Sequence, residues 1–392
     1  MQKMTLKNLS LKGKRVLMRV DFNVPMEKGS LTDDTRIRAA LPSIEYVLSH
    51  GASLILMSHL GRPNGFDAAL SLAPCAKRLS ELLKKPVAMA GDCVGPEVEK
   101  RVAALQAGQV LLLENVRFHR GEEAPEKDPA FTAALAKLGD CYVNDAFGTA
   151  HRAHASTAGI ARFFPGRSAM GFLMETEIRA LSPLLAHPAR PFYAILGGAK
   201  VSTKIGVIKQ LLPKVDALFI GGGMVYTFLK ADGVEIGQSL CEDPETIRHV
   251  PRTKLRFPVD LVIADQFSND ANYRIIPFGE PIPASWRGMD IGPETAALWS
   301  HELLLAATVF WNGPLGVFEM PHFAKGTHAI AELLAGAKAK TIVGGGDSIA
   351  AIDQMGLNHR FAHLSTGGGA SLEFLEFGHL PGIDALSNKQ SF

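Results

Sequence analysis

Near the middle of the chain the sequence reads Ile195-Leu196-Gly197-Gly198-Ala199-Lys200-Val201-Ser202-Thr203-Lys204-Ile205. The apolar run Phe192–Leu196 predicts a buried strand, and Lys204–Leu212 has the three- and four-residue apolar spacing of a helix. The glycine pair between them predicts a tight turn. Because a helix start presents free N–H groups and a positive dipole end, this strand, turn and helix start predict a phosphate site. A plain tight turn with solvated lysines is the alternative.

The length of the chain predicts two domains, since 392 residues exceed what one hydrophobic core usually serves. A hydrophobic content of 47% and a charged content of 20% are typical of a soluble globular protein. We expect no membrane contact, because no apolar run reaches about 18–20 residues and the N-terminal residues lack the apolar segment of a signal peptide. The four cysteines form no C-x-x-C pair, which favours a reducing cytoplasm over a disulfide framework or a zinc knuckle.

The charge of the chain argues against a general nucleic-acid binder, because the net charge is only +2. Residues 1–180 contain 24 Lys+Arg and 19 Asp+Glu, a balance of +5. The remaining residues contain 17 and 20, a balance of −3. This asymmetry indicates that a small anionic ligand binds to the first half.

The first half alternates short apolar runs with helical patterns, and this alternation predicts crossover units and a parallel sheet. The predicted helices include Arg36–Leu48 and Ala73–Leu83. The predicted strands are Arg15–Asp21, Ser53–Ser58, Val87–Ala90, Val110–Leu113 and Tyr142–Asn144.

The second half repeats this pattern, and glycine-rich turns follow most of its strands. Ligands of open parallel sheets bind beyond the carboxyl ends of the strands, which is where these glycines fall. One helix, Met170–Ala186, is predicted to join the two halves. The predicted strands are Phe192–Leu196, Ala217–Ile220, Leu261–Ala264, Thr308–Trp311, Thr341–Val343 and Phe361–Leu364.

Polar and basic side chains follow the strands of the first half. Asp21 and Asn23 lie at a strand end, where they could bind a ligand hydroxyl or only cap the turn. Guanidinium groups match phosphate and carboxylate bidentately, so a set of them at one sheet edge predicts a small, multiply charged anion. The set comprises Arg36, Arg62, Arg117 and Arg152, with His59 and His154.

Three stretches of the second half predict a nucleotide site. Asn312 ends a strand, and Glu319 is an isolated acid after the turn that follows. Gly344-Gly345-Gly346-Asp347-Ser348 places an aspartate at a helix start, suited to a metal-bound phosphate. Gly367-Gly368-Gly369 opens another helix with bare backbone. Tight turn geometry is the alternative for each glycine cluster taken singly.

The common nucleotide and hydrolase motifs do not occur in the sequence. There is no G-x-x-x-x-G-K-[ST] and no G-x-G-x-x-G, so neither a P-loop nor a dinucleotide site is supported. There is also no G-x-S-x-G and no H-E-x-x-H.

The ordered strings of the chain resemble those of the phosphoglycerate kinase family over nearly its whole length. They are RVDFNVP, TRIRAALPSI, SHLGRP, ENVRFH, AHRAHAST, GGAKVSTKI, PVDLVIAD, WNGPLGVFE, GGGDS and STGGGASLEFLE. The resemblance implies reversible phosphoryl transfer from 1,3-bisphosphoglycerate to ADP, giving 3-phosphoglycerate and ATP in glycolysis, with Mg²⁺ as cofactor. It also implies a monomer of two doubly wound, Rossmann-like α/β domains.

The resemblance further implies a division of the chain into substrate and nucleotide parts. Residues 1–169 would bind 3-phosphoglycerate, 170–186 would form a hinge helix, and 187–372 would bind the magnesium nucleotide. Residues 373–392 would form a tail that returns to the first domain. The family usually has Gly-Lys after the position of Glu376, whereas this chain departs from the pattern with Phe377-Gly378 near the start of the tail.

The site residues follow from the resemblance, residue by residue. Asp21 and Asn23 would hold the hydroxyl and carboxyl region of the substrate, and Arg36 would lie at the reacting carboxyl. The basic patch around the phosphate that is not transferred would comprise His59, Arg62, Arg117 and Arg152.

The nucleotide side is implied in the same way. Lys200 would accompany the moving phosphoryl group, and Lys204 would hold nucleotide phosphates. Glu319 would take the ribose hydroxyls and Asp347 the metal, while the amides of Gly367, Gly368 and Gly369 would meet the transferring group. Further nucleotide contacts would come from Asn312, Gly344, Gly345, Gly346 and Ser348.

Two other interpretations compete with a kinase. A nucleotide-linked dehydrogenase on a similar frame is disfavoured by the missing dinucleotide motif. A non-catalytic phosphometabolite-binding protein is disfavoured because Arg36, Lys200, Lys204 and Asp347 are all present.

Overall fold

The computed structural model describes residues 3–389, which form two compact units. One unit comprises the chain up to Arg179 together with the segment from His379 onward, and the other comprises Ala180–Gly378. The chain passes from the first unit to the second within the helix Phe172–Ala186. Among the described residues, no helix is both long and apolar enough to cross a membrane.

The first unit is built on a six-stranded parallel sheet whose central strand is Arg15–Arg19. Four of these five residues are buried, because helices cover both faces of a parallel sheet. The strands of the unit are β1 (Arg15–Arg19), β2 (Met26–Glu27), β3 (Ser30–Leu31), β4 (Ser53–Met57), β5 (Val87–Met89), β6 (Val110–Leu112), β7 (Cys141–Asn144) and β8 (Ser168–Met170). The sheet has the order β5-β6-β4-β1-β7-β8, and β2 and β3 form a separate antiparallel pair.

The helices of the first unit connect these strands. They are α1 (Thr35–Ser49), α2 (Ala73–Leu83), α3 (Pro96–Ala103), α4 (Pro129–Ala136) and the start of α5 (Phe172–Ala186), with 3₁₀ turns at Leu6–Asn8, Ala68–Leu70, Val116–Phe118, Phe147–Thr149 and Gly159–Phe163. Helix α2 has the predicted bounds, and α1 extends one residue beyond each predicted end. Strand β8 was missed, because Ser168-Ala169-Met170 is not the continuous run of large apolar residues that marked the other strands.

The second unit contains another six-stranded parallel sheet. Its strands are β9 (Phe192–Leu196), β10 (Ala217–Ile220), β11 (Leu255–Arg256), β12 (Asp260–Ala264), β13 (Tyr273–Pro277), β14 (Arg287–Ile291), β15 (Thr308–Asn312), β16 (Lys340–Gly344) and β17 (His363–Leu364). The parallel sheet has the order β11-β10-β9-β15-β16-β17. Two parallel sheets with crossover helices confirm the predicted α/β fold class.

The helices of the second unit cover its sheets. They are the end of α5, then α6 (Ile205–Leu211), α7 (Met224–Ala231), α8 (Pro293–Leu303), α9 (Lys325–Gly336), α10 (Gly346–Gln354) and α11 (Gly369–Phe377), with 3₁₀ turns at Pro244–Ile247, Pro321–Phe323 and Asn358–Arg360. The aromatic core of the unit includes Trp299 and Trp311, each about 1% exposed or less.

One predicted strand belongs to an antiparallel sheet rather than to the predicted parallel sheet. We grouped Leu261–Ala264 with the parallel strands, but β12 is the centre of a separate antiparallel sheet between β13 and β14. The connections on this small sheet contain no helix, so they cannot make the crossover that a parallel pair needs. Strand β13, Tyr-Arg-Ile-Ile-Pro, contains apolar residues but is exposed at four of its five positions, and it was not among the predicted strands.

The C-terminal segment packs on the first unit. Its helix α12 (Pro381–Asp384) is held where the Gly382 amide donates to Ala150 O at 2.8 Å. Lys3 Nζ donates to the carbonyls of Asp384 and Leu386, each at 2.7 Å. The chain has Phe377-Gly378 where the family usually has Gly-Lys, and Gly378 terminates α11. Its φ of +76 is a left-handed conformation that favours glycine.

Candidate active site

The glycine turn after β9 joins two strand ends of the second unit. The Gly197 amide donates to Asn312 O at 2.9 Å, and the Gly198 amide donates to Pro314 O at 2.8 Å. A Cβ at Gly197 would lie 2.1 Å from Pro314 O, so only glycine permits this approach. The expectation that this turn offers free amides to a phosphate is therefore wrong for these two groups. Their hydrogen bonds hold the backbone segments together.

Lys204 is the buried cation of this turn. Its Nζ donates to Gly197 O at 2.6 Å and to Asn312 O at 3.1 Å, so two of the three ammonium donors are engaged. Burial lowers the pKa of Lys204 to about 8, although the negative charge of Asp347 acts in the opposite direction. A solvated Lys204 is excluded. Lys204 is also the N-cap residue of α6, so its ammonium group lies at the start of this helix.

Lys200 lies in a different environment from Lys204. Lys200 is exposed in the segment before α6. Hydrogen bonds from Ser202 are the main cause of the lowered pKa of Glu242, and the charge of Lys200 lowers it further. Of the two lysines in the predicted phosphate stretch, Lys204 is therefore fixed by its hydrogen bonds and Lys200 is accessible to solvent.

Asn312 ends β15 beside the next glycine cluster. Its Nδ2 is buried and has no hydrogen-bond partner among the described residues. A Cβ at Gly345 would lie only 3.0 Å from this nitrogen. Since a buried donor costs free energy when it is left unpaired, this group fits an acceptor oxygen of a ligand.

Asp347 and Ser348 occupy the first turn of α10 but do different things. Asp347 is exposed, whereas Ser348 is fully buried and its Oγ accepts a hydrogen bond from the Gly313 amide at 2.6 Å. Ser348 thus fixes the turn after β15. The predicted ligand contact of Ser348 stays a prediction, and its observed partner is backbone.

The third glycine cluster precedes α11. Gly368 has φ +48, and Gly369 is the first residue of the helix. The Gly367 amide donates to Ser365 Oγ at 3.2 Å, within the turn.

A cavity of about 450 Å³ lies beside these turns in the second unit. Glu319 and Asp347 are on its wall, together with the glycines Gly198, Gly222 and Gly223. Its apolar lining was missed by the sequence analysis and includes Tyr226, Leu240, Phe267, Met289 and Leu315. In the sequence, the glycine run Gly221–Gly223 after β10 was the signal for this cavity. The apolar lining residues gave no signal, because they are scattered along the chain. A largely apolar cavity with a few polar groups at its edge is typical of a small-molecule site.

The first unit brings its predicted polar residues together at the carboxyl edge of the sheet. Arg36 Nη1 lies 2.6 Å from Asp21 Oδ2 in a partly exposed ion pair. Asn23 Oδ1 accepts a hydrogen bond from the Gly61 amide at 2.9 Å, and Asp21 Oδ1 accepts one from the Asn23 amide at 3.1 Å. Asp21 and Asn23 therefore organise turns, as the alternative interpretation held, while their position still exposes part of each side chain.

Arg117 is the most buried of the four predicted arginines. Its Nη1 donates to Gly61 O at 2.7 Å, and its Nε lies 3.0 Å from Glu123 Oε1. Burial lowers the pKa of Arg117, Glu123 opposes the shift, and the nearby charges of Arg19 and Arg152 add to it. Such a concentration of positive charge favours an anionic ligand. Arg62 is exposed next to Gly61.

The histidines of this edge are neutral. Burial lowers the pKa of His154 to about 4, and the charges of Arg117 and Arg152 contribute to the shift. Burial, followed by the charges of Arg19 and Arg117, lowers the pKa of His59 well below its ordinary value. The positive potential thus comes from guanidinium groups, and the imidazoles act as uncharged hydrogen-bonding groups. Arg19 is the first residue of the string RVDFNVP but was given no role, because the sequence does not show that this strand-end arginine is buried beside His59.

The carboxylates of the predicted nucleotide site can hold a magnesium ion only together with oxygen atoms of a ligand. Among residues 3–389, one group of three or more His, Cys, Asp or Glu side chains could hold a metal, namely Asp92, Cys93 and His119 of the first unit. There His119 Nε2 already pairs with Asp92 Oδ1 at 2.5 Å, and Cys93 Sγ donates to Glu114 O at 3.1 Å. Mg²⁺ commonly uses one or two carboxylates plus substrate phosphates, which fits the exposed Asp347.

An arginine-lined sheet edge in one α/β unit, with a lysine, glycine turns and an apolar cavity in the other, defines a phosphotransferase of two Rossmann-like units. The family profile described as phosphoglycerate kinase matches residues 6–378. The chain therefore belongs to the phosphoglycerate kinase family, and the predicted family is confirmed.

Individual relatives agree with this assignment. The chain is 55% identical to the phosphoglycerate kinase of Moorella thermoacetica over 398 residues, covering 99% of this chain and 100% of that protein. It is also 55% identical to that of Chloroherpeton thalassium over 400 residues, with the same coverage. Among solved structures, phosphoglycerate kinase from Coxiella burnetii matches with a TM-score of 0.86 and 41% identity, covering 98% of each chain. The enzyme from Pyrococcus horikoshii matches with 0.84 and 33%, again over 98% of each chain.

Nucleotide affinity should depend on the protonation of Lys204. Because its pKa is about 8, the ammonium form that attracts phosphates predominates at pH 7 and is lost as the pH rises through 8. We predict that ADP binds about tenfold more weakly at pH 9 than at pH 7, the ratio of the protonated fractions. Isothermal titration calorimetry at both pH values measures this. The variant Lys204→Arg stays charged and should lose the pH dependence; an equal pH dependence in the variant would contradict the prediction.

Proposed function

We propose that the described side chains divide the family's reaction between the two units. The reaction is the glycolytic transfer of a phosphoryl group from 1,3-bisphosphoglycerate to ADP, giving 3-phosphoglycerate and ATP. The observation that carries the division is the separation of charge: arginines gather at one edge of the first unit, and Lys204 with Asn312 and the cavity lies in the second.

The first unit binds the glycerate ligand. Arg62, Arg117 and Arg152 surround the phosphate that is not transferred, since guanidinium forks match phosphate oxygens. His59 contributes an uncharged hydrogen bond. Asp21 and Asn23 hold the hydroxyl region, and the Asp21–Arg36 ion pair keeps the Arg36 guanidinium in place at the reacting carboxyl.

The second unit binds the nucleotide. The apolar cavity takes the base, Glu319 on its wall takes the ribose hydroxyls, and Lys204 and the unpaired Asn312 Nδ2 meet phosphate oxygens. Gly344, Gly345, Gly346 and Ser348 border this ligand. Asp347 would hold Mg²⁺ together with phosphate oxygens, where the ion supplies neutralisation of phosphate charge.

Transfer needs positioning and charge neutralisation more than proton movement. The ADP phosphate and the glycerate carboxylate are both ionised at neutral pH, so neither nucleophile requires a general base. Arg36, the exposed Lys200 and the amides of Gly368 and Gly369 supply positive charge and donors to the phosphoryl oxygens in transit, and the Gly367 amide would join them only by leaving Ser365 Oγ. Lys200 is accessible enough to follow a moving group, whereas Lys204 is not.

The direct test of the function is a coupled assay for ATP-dependent phosphorylation of 3-phosphoglycerate. ADP formation that depends on 3-phosphoglycerate supports the proposal, and the absence of turnover in the folded protein refutes it. Nicotinamide absorbance with the same substrate tests the dehydrogenase alternative.

The two cations assigned to the phosphoryl group give a mutational test. We predict that Lys200→Ala and Arg36→Ala each lower kcat by about a hundredfold or more, as loss of a transition-state donor does elsewhere. Lys209→Ala and Arg38→Ala are the matched controls, because each removes an exposed charge nearby in sequence. Their kcat should stay within about twofold of the parent, and near-normal turnover of either test variant would reject its role.

The assignment also requires the two bound ligands to meet, since the residues proposed for them belong to different units. We propose that the helix Phe172–Ala186 acts as the hinge and that closure excludes water from the transferring group. The radius of gyration from small-angle X-ray scattering should decrease when 3-phosphoglycerate and the magnesium nucleotide are both present. Single ligands are the controls, and an unchanged radius with both would count against closure.

A further inference from the structure

Arg19 is a buried cation directly behind the arginine-lined edge of the first unit. It ends β1 and is only 1% exposed. Its guanidinium donates through Nε to Ser156 Oγ at 2.8 Å, through Nη2 to His59 Nδ1 at 3.0 Å and through Nη1 to Val20 O. A buried guanidinium with so many fixed partners cannot turn toward a ligand. Its role must be exerted through the groups that it holds.

Glu122 balances the charge of Arg19 through Ser156. The Glu122 carboxyl is fully buried, and it accepts hydrogen bonds from Ser156 Oγ at 2.7 Å and from the Ser156 amide at 2.9 Å. Burial raises the pKa of Glu122, while the charge of Arg19 and the bonds from Ser156 oppose that shift. With the carboxylate ionised, every hydrogen bond runs in one direction: Arg19 donates to Ser156, and Ser156 donates to Glu122.

The bond between Arg19 and His59 fixes the position of the imidazole proton. A guanidinium group has donors and no acceptor, so His59 Nδ1 must be the acceptor of this hydrogen bond. A neutral imidazole that accepts at Nδ1 carries its proton on Nε2.

The surroundings of His59 also oppose a second proton. The guanidinium groups of Arg19, Arg117 and Arg36 act on it, and all three disfavour the imidazolium form, as would a proton on the neighbouring His154. His59 is itself only 4% exposed, which disfavours the charged form further.

We propose that Arg19, Ser156 and Glu122 are positioning residues that hold His59 as its Nε2–H tautomer, so that His59 meets the anionic ligand as an uncharged donor. The ligand part of this inference rests on the proposed function. Its chemical consequence is that the group facing His59 is an acceptor oxygen, such as that of a phosphate or carboxylate. The binding of that group should show no step from protonation of His59 between pH 8 and pH 5.

The tautomer can be observed without any substrate. In the full chain labelled with ¹⁵N-histidine, the two ring nitrogens of a neutral imidazole have distinct chemical shifts that identify the protonated one. The signals of His59 are assigned by their loss in His59→Gln. We expect the proton on Nε2 and no titration from pH 8 to pH 5. A proton on Nδ1, or a titration midpoint near the ordinary value of about 6.5, would overturn the proposal.

Amide substitutions test which ring nitrogen matters for the ligand. The side-chain nitrogen of His59→Gln can replace Nε2–H, whereas His59→Asn places its amide near the Nδ1 position and leaves no donor toward the ligand. We expect the KM for 3-phosphoglycerate to be about tenfold higher in His59→Asn than in His59→Gln, as loss of one hydrogen bond to a charged group implies. Equal KM values would contradict the proposal.

A change in the supporting network separates positioning from simple stability. Ser156→Ala should raise the KM for 3-phosphoglycerate severalfold, leave kcat and the KM for ATP within about twofold, and shift the His59 signals toward a mixture of tautomers. Thr132→Val is the matched control, because it removes a fully buried hydroxyl that has no hydrogen-bond partner among residues 3–389. The control should change none of these values. Unchanged His59 signals in Ser156→Ala would reject the network, while absent kinase activity with an Nε2–H imidazole would reject only the proposed function.

Discussion

The second unit depends on one buried ammonium group. Lys204 Nζ binds the carbonyls at the ends of two adjacent parallel strands, at Gly197 and Asn312. The Gly197 amide meets the same Asn312 carbonyl, so a cation and a backbone donor together fix the separation of the strand ends. Because burying a charge costs free energy unless it is compensated, this arrangement is stable only with well-placed acceptors. Two of the three ammonium donors of Lys204 are thereby used inside the protein, and the position of Nζ is fixed.

The first unit differs from the second, because it holds several positively charged side chains close together rather than one buried ammonium group. Arg19 is compensated by the buried Glu122 through Ser156, and Arg36 is compensated by Asp21. The histidines at the same edge stay neutral, so they add hydrogen-bonding groups without adding repulsion. Each unit therefore has cations that are paired with protein groups, of which Arg36 stays partly exposed, and a second set that is accessible to solvent. Lys200 in the second unit and Arg62 in the first belong to the accessible set.

Much of the fold could be predicted from local sequence patterns, and the wrong predictions show what such patterns do not record. Strands β9 and β10 and helix α2 have the predicted bounds, because continuous apolar runs and a clean helical period both act over a few residues. The predicted pairing of β12 was wrong, because its antiparallel partners β13 and β14 were not predicted as strands and an apolar run does not specify which strand it pairs with. For the site, the sequence marked Lys204 and the glycine turns. It could not show that the Gly197 and Gly198 amides are engaged by Asn312 and Pro314, since those partners lie more than a hundred residues away.

The sequence by itself determined the family and the α/β class, and it predicted which residue types would meet phosphate. These depend on motifs and periodicities that are complete within short stretches. Only the tertiary structure decided which of two nearby lysines is buried, that Asn312 carries an unpaired donor, and that Arg19 and Glu122 lie behind His59. Burial, pKa and hydrogen-bond direction are set by groups that are distant in the chain and adjacent in space. No local pattern records them, because the same residue has different chemistry when its surroundings change from water to protein.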